Sequence, residues 1–524
     1  MRMKRPLLGL TLLGIALLVS ASLLLLVLDA GDASSDPEPP PASGPGAVGA
    51  GDPGDTDEEG DDGDPDGSSQ EEGRDGEQRL GDLDAQGPHH PSDIGPVPEL
   101  DDEVVAALEE RIADAAPLED VSVAVAGPDG VTQMTYQADE PRVPASTVKL
   151  LTAARALEVF DADHRFTTEV HATGPVEDGV VEGDLVLVGG GDPVLGEPWQ
   201  DDANPQRPRT PLEDLTAELA DDIDVVEGAV LADARILPHE PEPEGWRQRY
   251  LDRGHAGYSS GLTINAGREL FERGEQLVGA PADDPALEAA TVLIELLEEE
   301  DVEVADDEPA HVDDGLALEG SALAELDSPP LEELLVYAVQ ESDNHLADGL
   351  WRLAAAEEGE GTWDSAEALT RSALARRGID PTGARLPDGS GLSRDARLTA
   401  RQLVRLDAIE RAGPDGGLWT ELMAVAGESG TLRRRLTGTE AEGLLRGKTG
   451  TLRDARSLTA HVQGPTGRWH LAVMADELGG EALGEALPLI DDLALILTRD
   501  LLGCDLEGCN EDEDVPTSGH DHVS

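Results

Sequence analysis

Apolar positions change their spacing several times along this chain. From Pro6 to Leu28 they run almost unbroken for 23 residues behind Arg2, Lys4 and Arg5, long enough for a helix across a bilayer. A cleaved export signal normally has a shorter apolar core, about 7–15 residues. The pattern therefore predicts an uncleaved single-pass helix over residues 1–29, with the basic flank cytoplasmic and everything after Asp29 outside; a secreted, cleaved form is the alternative. From 30 to 97 apolar residues nearly vanish, and between Gly31 and Gly95 stand 19 Asp or Glu against Arg74 and Arg79. Such a stretch cannot bury enough surface to order itself, so a disordered, extended acidic linker is expected.

Periodic order begins near Pro98. Residues 101–116 repeat apolar positions at helical spacing, and VSVAVAGPDGVTQMTYQAD alternates about a Pro-Asp-Gly turn, which predicts a β-hairpin. PASTVKLLTAARALEVF (144–160) then carries Leu150, Leu151, Ala154 and Leu157 as one stripe behind Pro144. This predicts a helix packed on an antiparallel sheet whose other strands come from later in the chain. Residues 171–320 differ in texture: GDLVLVGGGDPVL, GAVLADARIL and SSGLTINAG read as short strands and loops around a proline-rich acidic stretch, with a helix at about 285–300. They suggest an insertion with a small β-rich core. Gly189-Gly190-Gly191-Asp192 has no lysine or helix start after it and reads as a turn rather than a phosphate loop. Helical texture resumes at Leu331 and is expected to continue through ESDNHLADGLWRLAA; the last helix is expected at about 480–502.

Composition narrows the chemistry. With 37 Lys plus Arg against 111 Asp plus Glu, the formal charge is -74, which repels a phosphate backbone and excludes nucleic acid as a partner. It would suit a high-salt setting. Only three residues are lysines, Lys4, Lys149 and Lys448, while arginine fills the other basic positions. Arginine supplies a permanent charge but cannot accept a proton near neutral pH, so Lys149 and Lys448 mark places where amine chemistry is needed.

Lys149 lies three residues after Ser146, on one helical face and within reach of it. A serine at a helix start also gains backbone N–H groups and the positive dipole end for a developing oxyanion, which suits acyl transfer. Downstream, Ser342-Asp343-Asn344 offers a hydroxyl that relays a proton and an amide that holds a carbonyl. DGSGLSRD, 388–395, is a glycine-rich turn that could shape a cleft wall. Lys448-Thr449-Gly450 stands at the start of an expected strand, where lysine and threonine suit a carboxylate and glycine admits a close backbone approach.

S-x-x-K, S-D-N and K-T-G in that order form the motif set of penicillin-binding proteins and class A β-lactamases. Ser146 and Ser342 stand 196 positions apart, more than a compact β-lactamase needs. With GDLVLVGGGDP, SPPLEELL, SDNHLADGL, DGSGLSR and GTLRRRL around the motifs, residues from about 100 to 503 resemble the low-molecular-weight class C penicillin-binding proteins, which are D-alanyl-D-alanine carboxypeptidases and endopeptidases.

The resemblance implies an α+β penicilloyl-serine transferase fold, an antiparallel sheet flanked by helices. Its two parts would be 98–170 and 321–503, with β-rich insertion domains at 171–320. It implies hydrolysis of peptidoglycan stem peptides, with β-lactams as inhibitors acylating Ser146. Lys149 would be the base, its amine lowered toward about 7–8 by burial and by Lys448. Ser342 would pass a proton to the leaving amine, and Asn344 would orient substrate and Lys149. Lys448, Thr449, Gly450 and Thr451 would hold the terminal carboxylate, and the Ser146 and Thr451 N–H groups would form the oxyanion hole. No metal or cofactor is implied. Cys504 and Cys509 open an expected disordered tail, 504–524, either bridged or as free thiols. A β-lactamase or esterase on the same fold, and a non-catalytic wall-binding scaffold, are the competing readings.

Overall fold

The computed structural model describes residues 99–509, apart from 116–117, 199–205, 274–275, 319 and 507. The expected N-terminal membrane helix, the acidic linker and residues 510–524 lie outside the described residues. Among the described residues no helix is long and apolar enough to cross a membrane.

The first helix, Asp102–Asp114, buries Val104, Leu108 and Ile112. The expected hairpin follows as Val121–Ala126 and Thr132–Tyr136, paired antiparallel. The hairpin's missing partners do come from the far end of the chain. Val121 faces Ala475 and Ala126 faces His470, so the strand Gly467–Ala475 lies beside Val121–Ala126. Ala455–Gly464, Leu445–Leu452 and the two-residue strand Ala424–Val425 complete a six-stranded antiparallel sheet. One face packs under the first helix and the long C-terminal helix Glu481–Leu502. The other face carries the helical layer, including Leu331–Gln340, Trp363–Arg376 and Ala400–Ala412.

Asp407 locks one of these helices to the sheet. His461 and His470 face each other across paired strands, and the Asp407 carboxylate accepts from their Nδ1 atoms at 3.2 and 2.7 Å and from Trp419 Nε1 at 2.9 Å. All three members of this Asp/His cluster are buried, with ligand-type atoms within 4.8 Å of one another. Both Nδ1 atoms are engaged by Asp407, so the cluster is a hydrogen-bonded clamp around a buried charge. Spacing along the sequence gave no sign of it, since strand pairing creates it.

The insertion is a layer of its own, more mixed than the β-rich core expected. Its seven-stranded sheet contains parallel pairs, with Leu185–Val188 and Glu303–His311 both running parallel to Val225–Asp233. Parallel neighbours need crossovers, and Leu212–Ala220 and Pro285–Glu299 pack their leucines into the core beneath that sheet. The strands Thr167–Ala172 and Ala324–Asp327 pair antiparallel, so the inserted chain leaves and returns at one place. The Gly189–Gly191 run is held by its own chain: Gly189 and Gly191 donate to Asp233 and Gly261 carbonyls. SSGLTINAG forms no strand.

The C-terminal segment stays ordered further than expected. Cys504 and Cys509 form a disulfide, and Asp505 bridges to Gly508.

Candidate active site

Ser146 does not sit in the first turn of the α-helix proper. It lies in a 3₁₀ turn, Ala145–Val148, that feeds the α-helix Lys149–Val159. In a 3₁₀ turn, side chains three apart eclipse, and Lys149 Nζ stands 3.3 Å from Ser146 Oγ. The helix also departs from the amphipathic stripe expected. Lys149 through Ala156 are all buried, including Thr152, Ala153 and Arg155, as befits a helix enclosed by the core. Ser146 remains half-exposed at its mouth.

Lys149 is 1% exposed and makes three polar contacts. Besides Ser146 Oγ, its Nζ donates to Asn344 Oδ1 and to the Ser390 carbonyl, both at 2.7 Å. Burial lowers its amine to about 8 against the opposing pull of Asp348, Asp388 and Asp343. The sequence reading assigned part of that depression to Lys448. The repulsion instead registers at Lys448, which is fully buried and held well below its ordinary value first by burial and then by Lys149.

The expected helix through ESDNHLADGL is two helices, Leu331–Gln340 and Asn344–Ala356, broken at Ser342. Ser342 has φ 63°, a conformation a non-glycine residue holds at some cost and only where its surroundings fix it. Asp343 caps the second helix by accepting from Leu346 N at 2.9 Å. The break turns Ser342 Oγ to within 2.9 Å of Lys448 Nζ. Asn344, at the helix start, accepts from Lys149 and donates from Nδ2 to the His255 carbonyl at 2.6 Å.

Lys448, Thr449, Gly450 and Thr451 are the fourth to seventh of the eight residues in the strand Leu445–Leu452, beyond its start. Its neighbour Ala424–Val425 pairs only as far as Gly447. Beyond that residue the outer edge has no strand partner among the described residues, leaving backbone free to take an extended peptide. Thr449 Oγ1 is 2.7 Å from Thr431 Oγ1, and Thr451 is exposed. At Gly450 a Cβ would lie 2.0 Å from Ser457 Oγ and 2.6 Å from the Pro144 carbonyl, so glycine is needed there for the turn that carries Ser146 to pack against the strand.

Two groups of sequence-predicted residues thus meet. Ser146, Lys149 and Asn344 converge on the Lys149 amine; Ser342 and Thr449 flank Lys448.

The DGSG turn, expected as part of a cleft wall, forms the floor of the site, and with it come residues to which the sequence reading gave no role. Asp388, wholly buried, accepts from Trp246 Nε1 at 2.7 Å, Gly391 N at 2.7 Å and Ser393 N at 2.6 Å, yet burial still raises its carboxyl. Asp348 accepts from Gly389 N at 2.9 Å and is pushed well above the usual carboxylate range by burial and by Asp388. Thr152 Oγ1 donates to Gly389 O at 2.6 Å. Together they aim the Ser390 carbonyl at Lys149. Gly391, at φ 76°, packs so closely that a Cβ would fall 1.9 Å from the Ala145 carbonyl, and Ala145 itself has φ 48°. Besides the glycine-rich turn itself, the one sequence signal was that Asp348 follows Asn344 by four positions, one helical turn.

Comparison with known proteins agrees with this architecture. The family model of the D-Ala-D-Ala carboxypeptidase 3 (S13) family matches residues 104–282 and 272–494. A D-alanyl-D-alanine carboxypeptidase of Actinomadura sp. is 32% identical over 464 residues, covering 73% of this chain and 82% of that protein. A carboxypeptidase of Mycobacterium tuberculosis is 34% identical over 343 residues, covering 63% of this chain and 70% of its own. Among solved structures, penicillin-binding protein 4 of Haemophilus influenzae shares the fold with TM-score 0.59 and 19% identity, over 72% of this chain and 94% of that one. The chain belongs to the D-Ala-D-Ala carboxypeptidase 3 (S13) family and is a serine-type carboxypeptidase.

Proposed function

We propose that Ser146 is the acylated nucleophile of this D-Ala-D-Ala carboxypeptidase and that Lys149 is its base. Ser146 Oγ attacks the carbonyl between the two D-alanines while its proton passes to the neutral Lys149 amine. Collapse of the tetrahedral adduct breaks the C–N bond, and the departing D-alanine amine takes a proton from Ser342, which is made good through Lys448 by the proton Lys149 accepted, so both amines end as they began. Water then attacks the ester carbonyl, and Ser146 recovers its proton as the shortened peptide leaves. Lys448, Thr449 and Thr451 hold the terminal carboxylate, and Asn344 keeps Lys149 in register. The observation that carries this reading is the buried Lys149 amine held between Ser146 Oγ and Asn344 Oδ1.

A β-lactam presents a strained amide in place of the dipeptide and acylates Ser146 by the same route. Cross-link endopeptidase action uses the same chemistry with a larger leaving amine, which the open strand edge beyond Gly447 would accommodate. The apolar run from Pro6 to Leu28 and the acidic stretch after it support a tethered enzyme outside the cytoplasmic membrane, reaching peptidoglycan stem peptides. The direct test is D-alanine release from an N-acetylated peptide ending in D-Ala-D-Ala. Release by the wild type that vanishes in Ser146→Ala supports the reading; equal release by both overturns it.

A further inference from the structure

The insertion touches the active site through a charge as well as through the His255 carbonyl. Arg207, its side chain 5% exposed, donates from Nε to Asp343 Oδ2 at 3.0 Å. Its segment is fixed from behind. Nη2 donates to the Pro193 carbonyl at 3.3 Å, Thr210 N donates to the Val194 carbonyl at 2.9 Å, and Leu195 pairs with Thr210. Pro193 in turn lies against the helix Asn344–Ala356, where a Cβ on Gly349 would be 3.4 Å from the proline Cβ.

Asp343 stands between Ser342 and Asn344. Its Oδ1 accepts from Leu346 N at 2.9 Å, which leaves Oδ2 to Arg207. Burial works against a charge on Asp343, yet Arg207 and then Leu346 N hold its carboxyl below the usual range. The neighbouring His345 is lowered to about 4, first by burial and then by Arg207. It is therefore neutral near pH 7, and Arg207 is the charged partner of Asp343 among the described residues. On the other side of the turn Glu341 pairs with Arg433 at 2.8 Å, but these side chains are 33% and 50% exposed, so that pair holds little. Ser342 keeps its φ of 63° only because its surroundings fix it. A buried ion pair one residue away does so, since losing either partner strands the other charge away from water and the turn must shift to solvate it.

We propose that Arg207 is a positioning residue which, through Asp343, holds the Ser342 hydroxyl where it can protonate the departing amine. This rests on the carboxypeptidase reading above and deepens it by giving the insertion a part in one step. When the C–N bond of the tetrahedral adduct breaks, the amine nitrogen must gain a proton, and Ser342 supplies it. When the C–S bond of a thioester breaks, sulfur leaves as a stable thiolate and needs none. Acylation by an amide therefore depends on Arg207, and acylation by a thioester with the same acyl part hardly does.

The test measures kcat/KM of the full-length protein on an N-acetylated peptide ending in D-Ala-D-Ala and on the thioester in which mercaptoacetate replaces the terminal D-alanine. Both give the same acyl-enzyme, so the comparison isolates its formation. Arg207→Gln is expected to lose about 100-fold on the amide, the scale of a displaced proton donor, and less than about threefold on the thioester. Arg207→Lys keeps the charge and should recover most of the amide rate. Asp343→Asn should shift the amide-to-thioester ratio the same way, and the double variant no further than either single one, because the two side chains act as a pair. Thermal melting checks that each variant folds. Equal losses on both substrates in folded Arg207→Gln would mean a merely structural contact and overturn the proposal. An unchanged amide rate, or losses that add in the double variant, would overturn it too. Failure of the wild type to hydrolyse the amide would instead strike at the carboxypeptidase reading itself.

Discussion

Replacing Lys149 by arginine separates a base from a mere cation. The wild-type amine is lowered to about 8 by burial, so about one molecule in ten carries it neutral at pH 7. An ordinary lysine near 10.4 would be neutral in about four per ten thousand, and an arginine, above 12, in fewer than about one per hundred thousand. Only the neutral form can take the Ser146 proton. Arginine keeps the charge and can still reach Asn344 and Ser390, so Lys149→Arg should acylate with labelled penicillin about 10⁴-fold more slowly at pH 7, near the upper range for general-base catalysis. The wild-type rate should climb with pH, about tenfold per unit, and level off above about 8. The variant should show no such bend. A folded Lys149→Arg enzyme within tenfold of wild type, or a wild-type rate flat from pH 6 to 9, would refute the assignment of Lys149 as base.

Two further outcomes concern the scaffold. The Asp407 carboxyl is held far below the usual range against the cost of its burial by His461 and His470, so its contribution to stability is present above the unfolded value near 3.9 and is lost as pH falls below it. Asp407→Ala leaves three buried N–H donors unpaired and should cost about 3 kcal/mol or more in a denaturant titration; a loss under about 1 kcal/mol would mean the clamp is unimportant. Gly391→Ala combines a positive φ with a Cβ 1.9 Å from the Ala145 carbonyl. It should lower the melting temperature by an amount equivalent to about 2 kcal/mol or more and slow Ser146 acylation, whereas wild-type values for both would show that the floor and the nucleophile turn are not coupled.

Much of the catalytic constellation was legible because it lies in local sequence. Ser146 and Lys149 are three positions apart, Ser342 and Asn344 two, and scarce lysine marked both amines. The hairpin, the nucleophile helix and the C-terminal helix were legible from periodicity for the same reason. What escaped depends on tertiary closure. The Ser390 carbonyl reaches Lys149 only because Asp348, Asp388 and Thr152 pin the DGSG turn, and a backbone acceptor leaves no side-chain signature. The helix break at Ser342 opposes local propensity and is fixed from outside by Lys448 and the cap at Asp343. That Gly450 also packs against Pro144 and Ser457 is likewise invisible in the sequence, since those contacts join distant segments. The helix Leu212–Ala220 begins where the proline-rich acidic stretch ends and was given no element, although Leu212, Leu215 and Leu219 carry its buried face.

The central claim is that the chain works through a covalent ester on Ser146. The most direct measurement is to incubate the full-length protein with penicillin, digest it and locate the added mass. The account predicts one penicilloyl group on the peptide containing Ser146 and none in Ser146→Ala. An adduct on another residue, or no adduct with the drug intact, would contradict it.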